Sequence, residues 1–215
     1  MINNGQTLPL VEEFYTLQGE GAHTGRAAWF IRLGGCDVGC SWCDAKETWN
    51  PRLHPPVPVA EIVRRATADN PSRAVVVTGG EPLIYPLDAL CDGLRAAGIE
   101  TFLETSGSHP FSGTWDWVCL SPKRRQPPLD GAWARADELK VIIEEPDDII
   151  WAGECAARVG AVSGGAACPH TRAAQLFLQP EWSRREEAMP LIVAHIKQNP
   201  RWRSSLQSHK YMRIP

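Results

Sequence analysis

The chain has 215 residues, and its 22 Lys and Arg against 25 Asp and Glu give a formal net charge of -3, which excludes bulk attraction to nucleic acid. Its 43% hydrophobic content, with no apolar run long enough to span a bilayer, predicts one globular domain over residues 1–215 and no membrane partner. Seven cysteines are an odd number for a disulfide framework, and the opening lacks a secretory signal pattern, so reduced thiols and a cytoplasmic location are expected.

In chain order, the stretch Phe14-Tyr15-Thr16-Leu17-Gln18-Gly19-Glu20-Gly21 and then Thr24-Gly25 precede a first predicted strand at Ala27–Leu33. Val59, Ile62, Val63 and Ala66 follow at helical spacing, then a strand over 73–78. Leu87, Leu90, Cys91 and Leu94 form a second helical stripe stopped by Gly98, before strands over 99–105 and 116–120. Segments 106–115 and 121–137 show no periodicity and read as loops. Strands at Glu138–Ile143 and 174–179 come next. Ser183 and Glu186 form a capping-box pattern opening a helix with Ile192, His195 and Ile196. Strands alternating with helices predict an α/β fold with about six parallel strands, an abbreviated, incomplete (β/α) barrel. Chemistry in such folds gathers at the C-terminal ends of the strands, where the polar motifs fall.

The run Gly-Cys-Asp-Val-Gly-Cys-Ser-Trp-Cys-Asp places Cys36, Cys40 and Cys43 in a C-x3-C-x2-C cluster directly after the first strand. Three thiolates leave one iron of a four-iron cluster open to a small molecule. A structural zinc site instead needs a fourth ligand, here from Cys91, Cys119, Cys155, Cys168 or a histidine. Cys91, Cys119 and Cys155 lie in apolar segments and read as core. Thr78-Gly79-Gly80-Glu81-Pro82 closes the second strand; its glycines let a backbone come close to a ligand, and its carbonyls and Glu81 can accept from an ammonium, unless it is only a tight turn. Glu104-Thr105-Ser106-Gly107, Ser121-Pro122-Lys123 and Gln179-Pro180-Glu181-Trp182 end further strands, each alone explicable as a strand-to-loop transition. Arg32, set among apolar residues, calls for an anionic partner, structural or bound.

The cysteine spacing, with Trp42 before the last thiol, resembles the radical S-adenosylmethionine (SAM) superfamily. That resemblance implies a [4Fe-4S] cluster on Cys36, Cys40 and Cys43, its open iron chelated by the amino and carboxylate groups of SAM. The GGE motif is similar to the one that holds the SAM ammonium. By the same resemblance Trp42, Asp44, Gly79, Gly80, Glu81, Ser106, Ser121, Pro122, Lys123, Gln179, Pro180, Glu181 and Trp182 surround the cofactor. The string LQGEG, then GxxAxFIRL, the cysteine run, TGGEP, ETSG, SPK, LQP and the terminal HKYMRIP resemble one family within it, the 7-carboxy-7-deazaguanine synthases of queuosine and 7-deazapurine biosynthesis.

That family implies contraction of the ring of 6-carboxy-5,6,7,8-tetrahydropterin to 7-carboxy-7-deazaguanine with release of ammonia, started by a 5'-deoxyadenosyl radical that takes the hydrogen from C6. Leu17, Gln18, Gly19, Glu20, Arg32, Thr78, Glu104, His209 and Pro215 then face the substrate, with Arg32 forked on its carboxylate and the tail, 200–215, closing the site over the cluster loop, 34–50. Family members commonly place a threonine two residues after the last cysteine as a magnesium ligand. Here that residue is Ala45, so Mg2+ is expected with support from Asp44, backbone or Thr48. An electron donor such as flavodoxin or ferredoxin and a homodimer are further expectations of the resemblance. A glycyl-radical-enzyme activase shares the cysteine and GGE motifs, but LQGEG and HKYMRIP argue against it. A zinc-binding interaction module is the non-enzymatic alternative.

Overall fold

Period-two alternation along the strands sorts their side chains onto two faces. In the computed structural model, which describes residues 4–163 and 173–215, strands β1 (Thr7–Leu17), β2 (Ala27–Leu33), β3 (Pro56–Pro58), β4 (Ala74–Gly79), β5 (Glu100–Thr105), β6 (Trp117–Leu120), β7 (Glu138–Ile143), β8 (Gln175–Pro180) and β9 (Trp202–Ser204) form one sheet. Its order is β3-β1-β2-β4-β5-β6-β7-β8-β9. From β2 to β9 every neighbouring pair is parallel, while β1 runs antiparallel to both β2 and β3. The six expected strands are therefore present, joined by β9 as a further parallel strand.

The outward residues of the strands pack under the helices. Ile31, Leu33, Val75, Val77 and Leu103 share a core with Ile62 and Ala66 of α1 (Val59–Ala68) and Leu90 and Leu94 of α2 (Asp88–Ala96). Leu139, Val141, Ile143, Leu176 and Leu178 share another with Ala152, Cys155 and Val159 of α4 (Pro146–Ser163) and Ile192 of α5 (Arg185–Gln198). The inward face is apolar at its lower level, where Ala28, Phe30, Val76, Phe102 and Trp117 meet. Two residues further along the same strands, that face turns polar, presenting Arg32, Thr78, Glu104 and, on β7, Lys140. Cys91, Cys119 and Cys155 are buried free thiols, as expected of core residues; Cys168 lies outside the described residues.

Three expectations require correction. Thr7–Leu17 forms the longest strand, although Pro9 and the adjacent Glu12 and Glu13 break its alternation; Thr7 to Pro9 pair with β3, and Leu10 to Leu17 pair with β2. Within the segment read as a loop, α3 (Asp130–Trp133) forms a single turn that buries Trp133. The capping box does not form: Arg184 stands at the N-cap of α5, and the Ser183 hydroxyl donates to Glu181 instead.

The close of β4 sets the site's frame. Gly79 has φ +129 and a Cβ there would stand 2.2 Å from the Leu33 carbonyl oxygen, while one on Gly80 would stand 2.1 Å from the Gly35 oxygen. Only bare backbone lets Gly80 donate to Leu33 at 2.9 Å and Glu81 to Gly35 at 2.8 Å, which ties β4 to the start of the cysteine loop. Gly80→Ala should push that loop off the strand and cost about 1–3 kcal/mol, as overpacking does. Denaturant midpoints of the two proteins check this; an unchanged midpoint contradicts it.

Candidate active site

The polar inner level opens into a cavity of about 460 Å³ at the C-terminal ends of the parallel strands. Cys36, Cys40 and Cys43 stand half-buried on one wall. Burial pushes the Cys36 and Cys40 thiols up, while Lys123 draws Cys40 back down. The Cys43 sulfur accepts from the Ala45 amide and the Trp49 indole N–H, each at 3.4 Å. Such N–H donors stabilise a metal-bound thiolate, and three thiols on one loop fit an iron–sulfur cluster with a vacant iron.

Every residue expected at the site lines this cavity except Pro122, which is buried outside it. Lining the cavity does not leave each group free, however. Glu81 is 2% exposed. Its Oε1 accepts from Leu83 N at 3.0 Å and Thr105 Oγ1 at 2.5 Å, and its Oε2 from Ser106 N at 2.7 Å and Ser106 Oγ at 2.5 Å. The carboxylate expected to receive an ammonium is thus spent on the frame, and the backbone of Gly79 and Gly80 is the part of the motif left to meet a ligand. Ser106, its hydroxyl proton committed to Glu81, can only accept.

The remaining wall is similarly held. Lys123 donates to Ser121 O and Oγ, both at 2.6 Å, and lies 5.5 Å from the Trp42 ring; burial lowers its pKa. Gln179 accepts from Ser205 at 2.6 Å. Glu181 accepts from Ser183 N, Ser183 Oγ and Arg184 N; burial raises its pKa, but these bonds outweigh it and the net shift is downward. Trp182, beside Pro180, is gripped by Arg185 at 4.5 Å, Lys210 at 4.8 Å and Tyr211 at 5.3 Å.

Opposite the cysteines, a buried lysine that the sequence reading missed organises the wall. Lys140 Nζ donates to Glu20 Oε2 at 2.6 Å and Glu104 Oε2 at 2.9 Å. Gln18 donates to Glu104 Oε1 at 3.2 Å and receives the Glu20 amide at 3.1 Å, while Gln207 donates to Glu20 Oε1 at 3.0 Å. Burial would depress the Lys140 pKa, but Cys119, Glu104, Glu20 and Glu138 drive it well above the ordinary range. Burial raises Glu20, yet Lys140 and Gln207 outweigh it and hold the carboxyl low. The visible signal was a charged residue in the middle of an apolar strand, which is expensive to bury unless paired.

The tail completes the enclosure. Helix α6 (Ser208–Met212) hangs on Gly19, whose carbonyl accepts from Ser208 N at 2.9 Å and Oγ at 2.8 Å; a Cβ on Gly19 would collide with His209. Burial lowers the His209 pKa, so its imidazole is neutral near pH 7. The Pro215 carbonyl accepts from Thr16 at 3.3 Å, next to Leu17. Arg32 gives its Nε to Glu12 at 2.7 Å, which keeps both terminal nitrogens available for a two-point contact beside Thr78.

Magnesium is the one expected group that this donor set does not fit. Ala45 has no side-chain oxygen. Thr48 is fully buried and donates to Ala45 O at 2.7 Å. Asp44 Oδ2 accepts from Lys210 at 2.6 Å and Gln207 at 3.1 Å. Among the described residues, no three His, Cys, Asp or Glu side chains gather as a single ion would require.

The comparisons with known proteins agree with this geometry. A model described as the Radical SAM superfamily matches residues 30–119, so the fold and the site define a radical SAM enzyme. A 7-carboxy-7-deazaguanine synthase of Flavobacterium psychrophilum is 51% identical over 100% of this chain and 96% of its own, and that of Synechocystis is 47% identical over 96% and 93%. The crystal structure of QueE from Escherichia coli superposes with a TM-score of 0.76 at 33% identity, covering 94% of this chain and 95% of that one. The chain belongs to the 7-carboxy-7-deazaguanine synthase family. Among the described residues no helix is long and apolar enough to cross a membrane.

Behind the Lys140 wall, Glu138 accepts from Ala22 N at 3.0 Å and Trp117 Nε1 at 3.3 Å. Burial pushes its carboxyl up to about 7, Lys140 pulling it back and Glu104 adding to the rise. A carboxyl of about 4.3 in the unfolded chain then releases its proton first, so stability should fall as pH rises from about 4.3 through 7. Glu138→Gln should flatten that profile, gaining on the order of 3 kcal/mol relative to wild type between pH 5 and pH 8. Thermal unfolding across that range is the check; parallel profiles would contradict it.

Proposed function

We propose that this chain contracts 6-carboxy-5,6,7,8-tetrahydropterin to 7-carboxy-7-deazaguanine with release of ammonia. The observation that carries the reading is the placement of three thiols and a glycine-bounded strand end across one cavity from a fixed carboxylate wall, in a chain matched end to end by synthases of that product. Cys36, Cys40 and Cys43 would hold the cluster, and the backbone of Gly79 and Gly80, with Ser121, Lys123 and the Gln179 to Trp182 turn, would hold SAM. Bound there, cluster and SAM supply the radical that removes one hydrogen atom from the substrate.

The protein's part is positioning and enclosure. Arg32 offers its terminal nitrogens to the substrate carboxylate. Glu104, locked by Lys140 and Gln18, still has lone pairs for the N–H donors of the pterin's guanidine-like edge. The Leu17, Gln18 and Gly19 backbone and the neutral His209 ring flank that edge, and α6 with Pro215 keeps water from the reacting centre. A second positive charge near the cysteines, Lys123, lies where it favours the anionic sulfurs. The electron comes from a small redox protein of the flavodoxin or ferredoxin kind. Action in the cytoplasm as a homodimer is the setting that the resemblance supports.

The test is anaerobic turnover of the reconstituted protein with the carboxylated tetrahydropterin, SAM and a reductant, with the product identified by mass. Single replacement of Cys36, Cys40 or Cys43 by Ala should abolish both product and iron retention, whereas Cys155→Ala should retain both. Product from any of the three variants, or none from the intact protein, would overturn the reading.

A further inference from the structure

The carboxylated substrate brings a negative charge into a cavity whose donor set has no place for a divalent cation, and a lysine of the tail stands beside the residue where the family commonly holds one. Lys210 Nζ donates to Asp44 Oδ2 at 2.6 Å and to Gln207 Oε1 at 2.9 Å, and sits 4.8 Å over the Trp182 ring. An ammonium has three N–H donors and no acceptor, so after Asp44 and Gln207 one donor remains. The ammonium lines the same cavity as Arg32, Asp44 and Ala45.

A magnesium ion on Asp44 would bind its oxygen at about 2.1 Å, with near-octahedral oxygen coordination. With Lys210 already 2.6 Å from that carboxylate, the ion would lie within roughly 5 Å of a like charge, and it would have no oxygen from Ala45 to compensate. Oδ2 of Asp44 is taken by Lys210 and Gln207, so an ion on that oxygen would have to displace the ammonium. That oxygen, 2.6 Å from Lys210 and 3.1 Å from Gln207, anchors the ammonium.

Resting on the functional reading above, we propose that the Lys210 ammonium, anchored on Asp44, binds the substrate carboxylate together with Arg32, and that this enzyme works without a divalent cation. The tail then both closes the site and supplies a charge to it. Closure and carboxylate binding become one event, because Lys210 lies on the short helix hung from Gly19.

The experiment uses anaerobic holoenzyme in metal-depleted buffer, with two readouts. Turnover of the carboxylated tetrahydropterin should change by less than about twofold as Mg2+ is raised to millimolar levels. Calorimetric titration of the oxidised, unreactive 6-carboxypterin into the SAM-loaded protein should show about tenfold weaker binding for Lys210→Met, roughly the loss of one charge-assisted contact. The kinetic counterpart is a raised KM with little change in kcat. In the double variant Ala45→Thr, Lys210→Met, added Mg2+ should restore affinity. A wild-type rate that falls tenfold on metal depletion and returns with Mg2+, or unchanged affinity in Lys210→Met, would overturn the inference while leaving the ring contraction standing. Failure of the wild type to bind the pterin with or without Mg2+ would overturn both.

Discussion

One buried carboxylate holds the mouth of the sheet together. Glu81 follows β4 directly, yet its oxygens bind the first residues of the loop after β5 through Thr105 and Ser106, and its own amide binds Gly35 at the entrance of the cysteine loop. Three strand ends are thereby fixed to one residue, two through its side chain and the third through its amide. A carboxylate excluded from water is costly unless its lone pairs are filled, and here each oxygen receives two donors. The glycines before it have a matching purpose: without a Cβ at Gly79 or Gly80, the strand lies close enough to Leu33 and Gly35 for these bonds to form.

The opposite wall uses the same economy with full charges. Lys140 is the pivot between Glu20, from the N-terminal turn, and Glu104, from β5, and Gln18 and Gln207 satisfy the outer oxygens. Such a triad is poor value for stability, since its desolvation offsets most of the attraction. Its benefit is geometric. Two carboxylates are held in fixed positions facing the cavity, which is the condition for orienting a polar substrate so that one hydrogen meets the radical.

Much of this was legible in residue order. Short apolar runs located the six parallel strands from β2 to β8 because they are largely buried on both faces, whereas β9, with Arg203 and Ser204 exposed, gave no such run. The same rule concealed β1, which pairs with β3 through its first three residues and with β2 through the rest, carries Pro9, Glu12 and Glu13, and is only partly buried. Ser183 and Glu186 matched a capping box locally, but Glu181, a residue of the strand end, captured the serine first. Nearly every motif residue reached the cavity, since strand ends must converge in a parallel sheet. They did not reveal which groups were already occupied. Glu81 reads the same in sequence whether it meets a ligand or a neighbouring loop, and Lys140 and Lys210 acquire meaning only from partners 120 and 166 residues away.

The frame around Glu81 is most directly tested by Glu81→Gln. Glutamine has the same outline, but one end of its amide donates, so either the Ser106 pair or the Leu83 and Thr105 pair must face a donor. With the carboxylate acting as structure, unfolding free energy should drop by about 2–4 kcal/mol, and iron retention after reconstitution should drop with it, because the backbone of Gly80 and Glu81 that holds the cysteine loop is itself fixed by that side chain. Wild-type stability and full iron content, accompanied by loss of SAM affinity alone, would contradict this and make Glu81 a ligand of the cofactor.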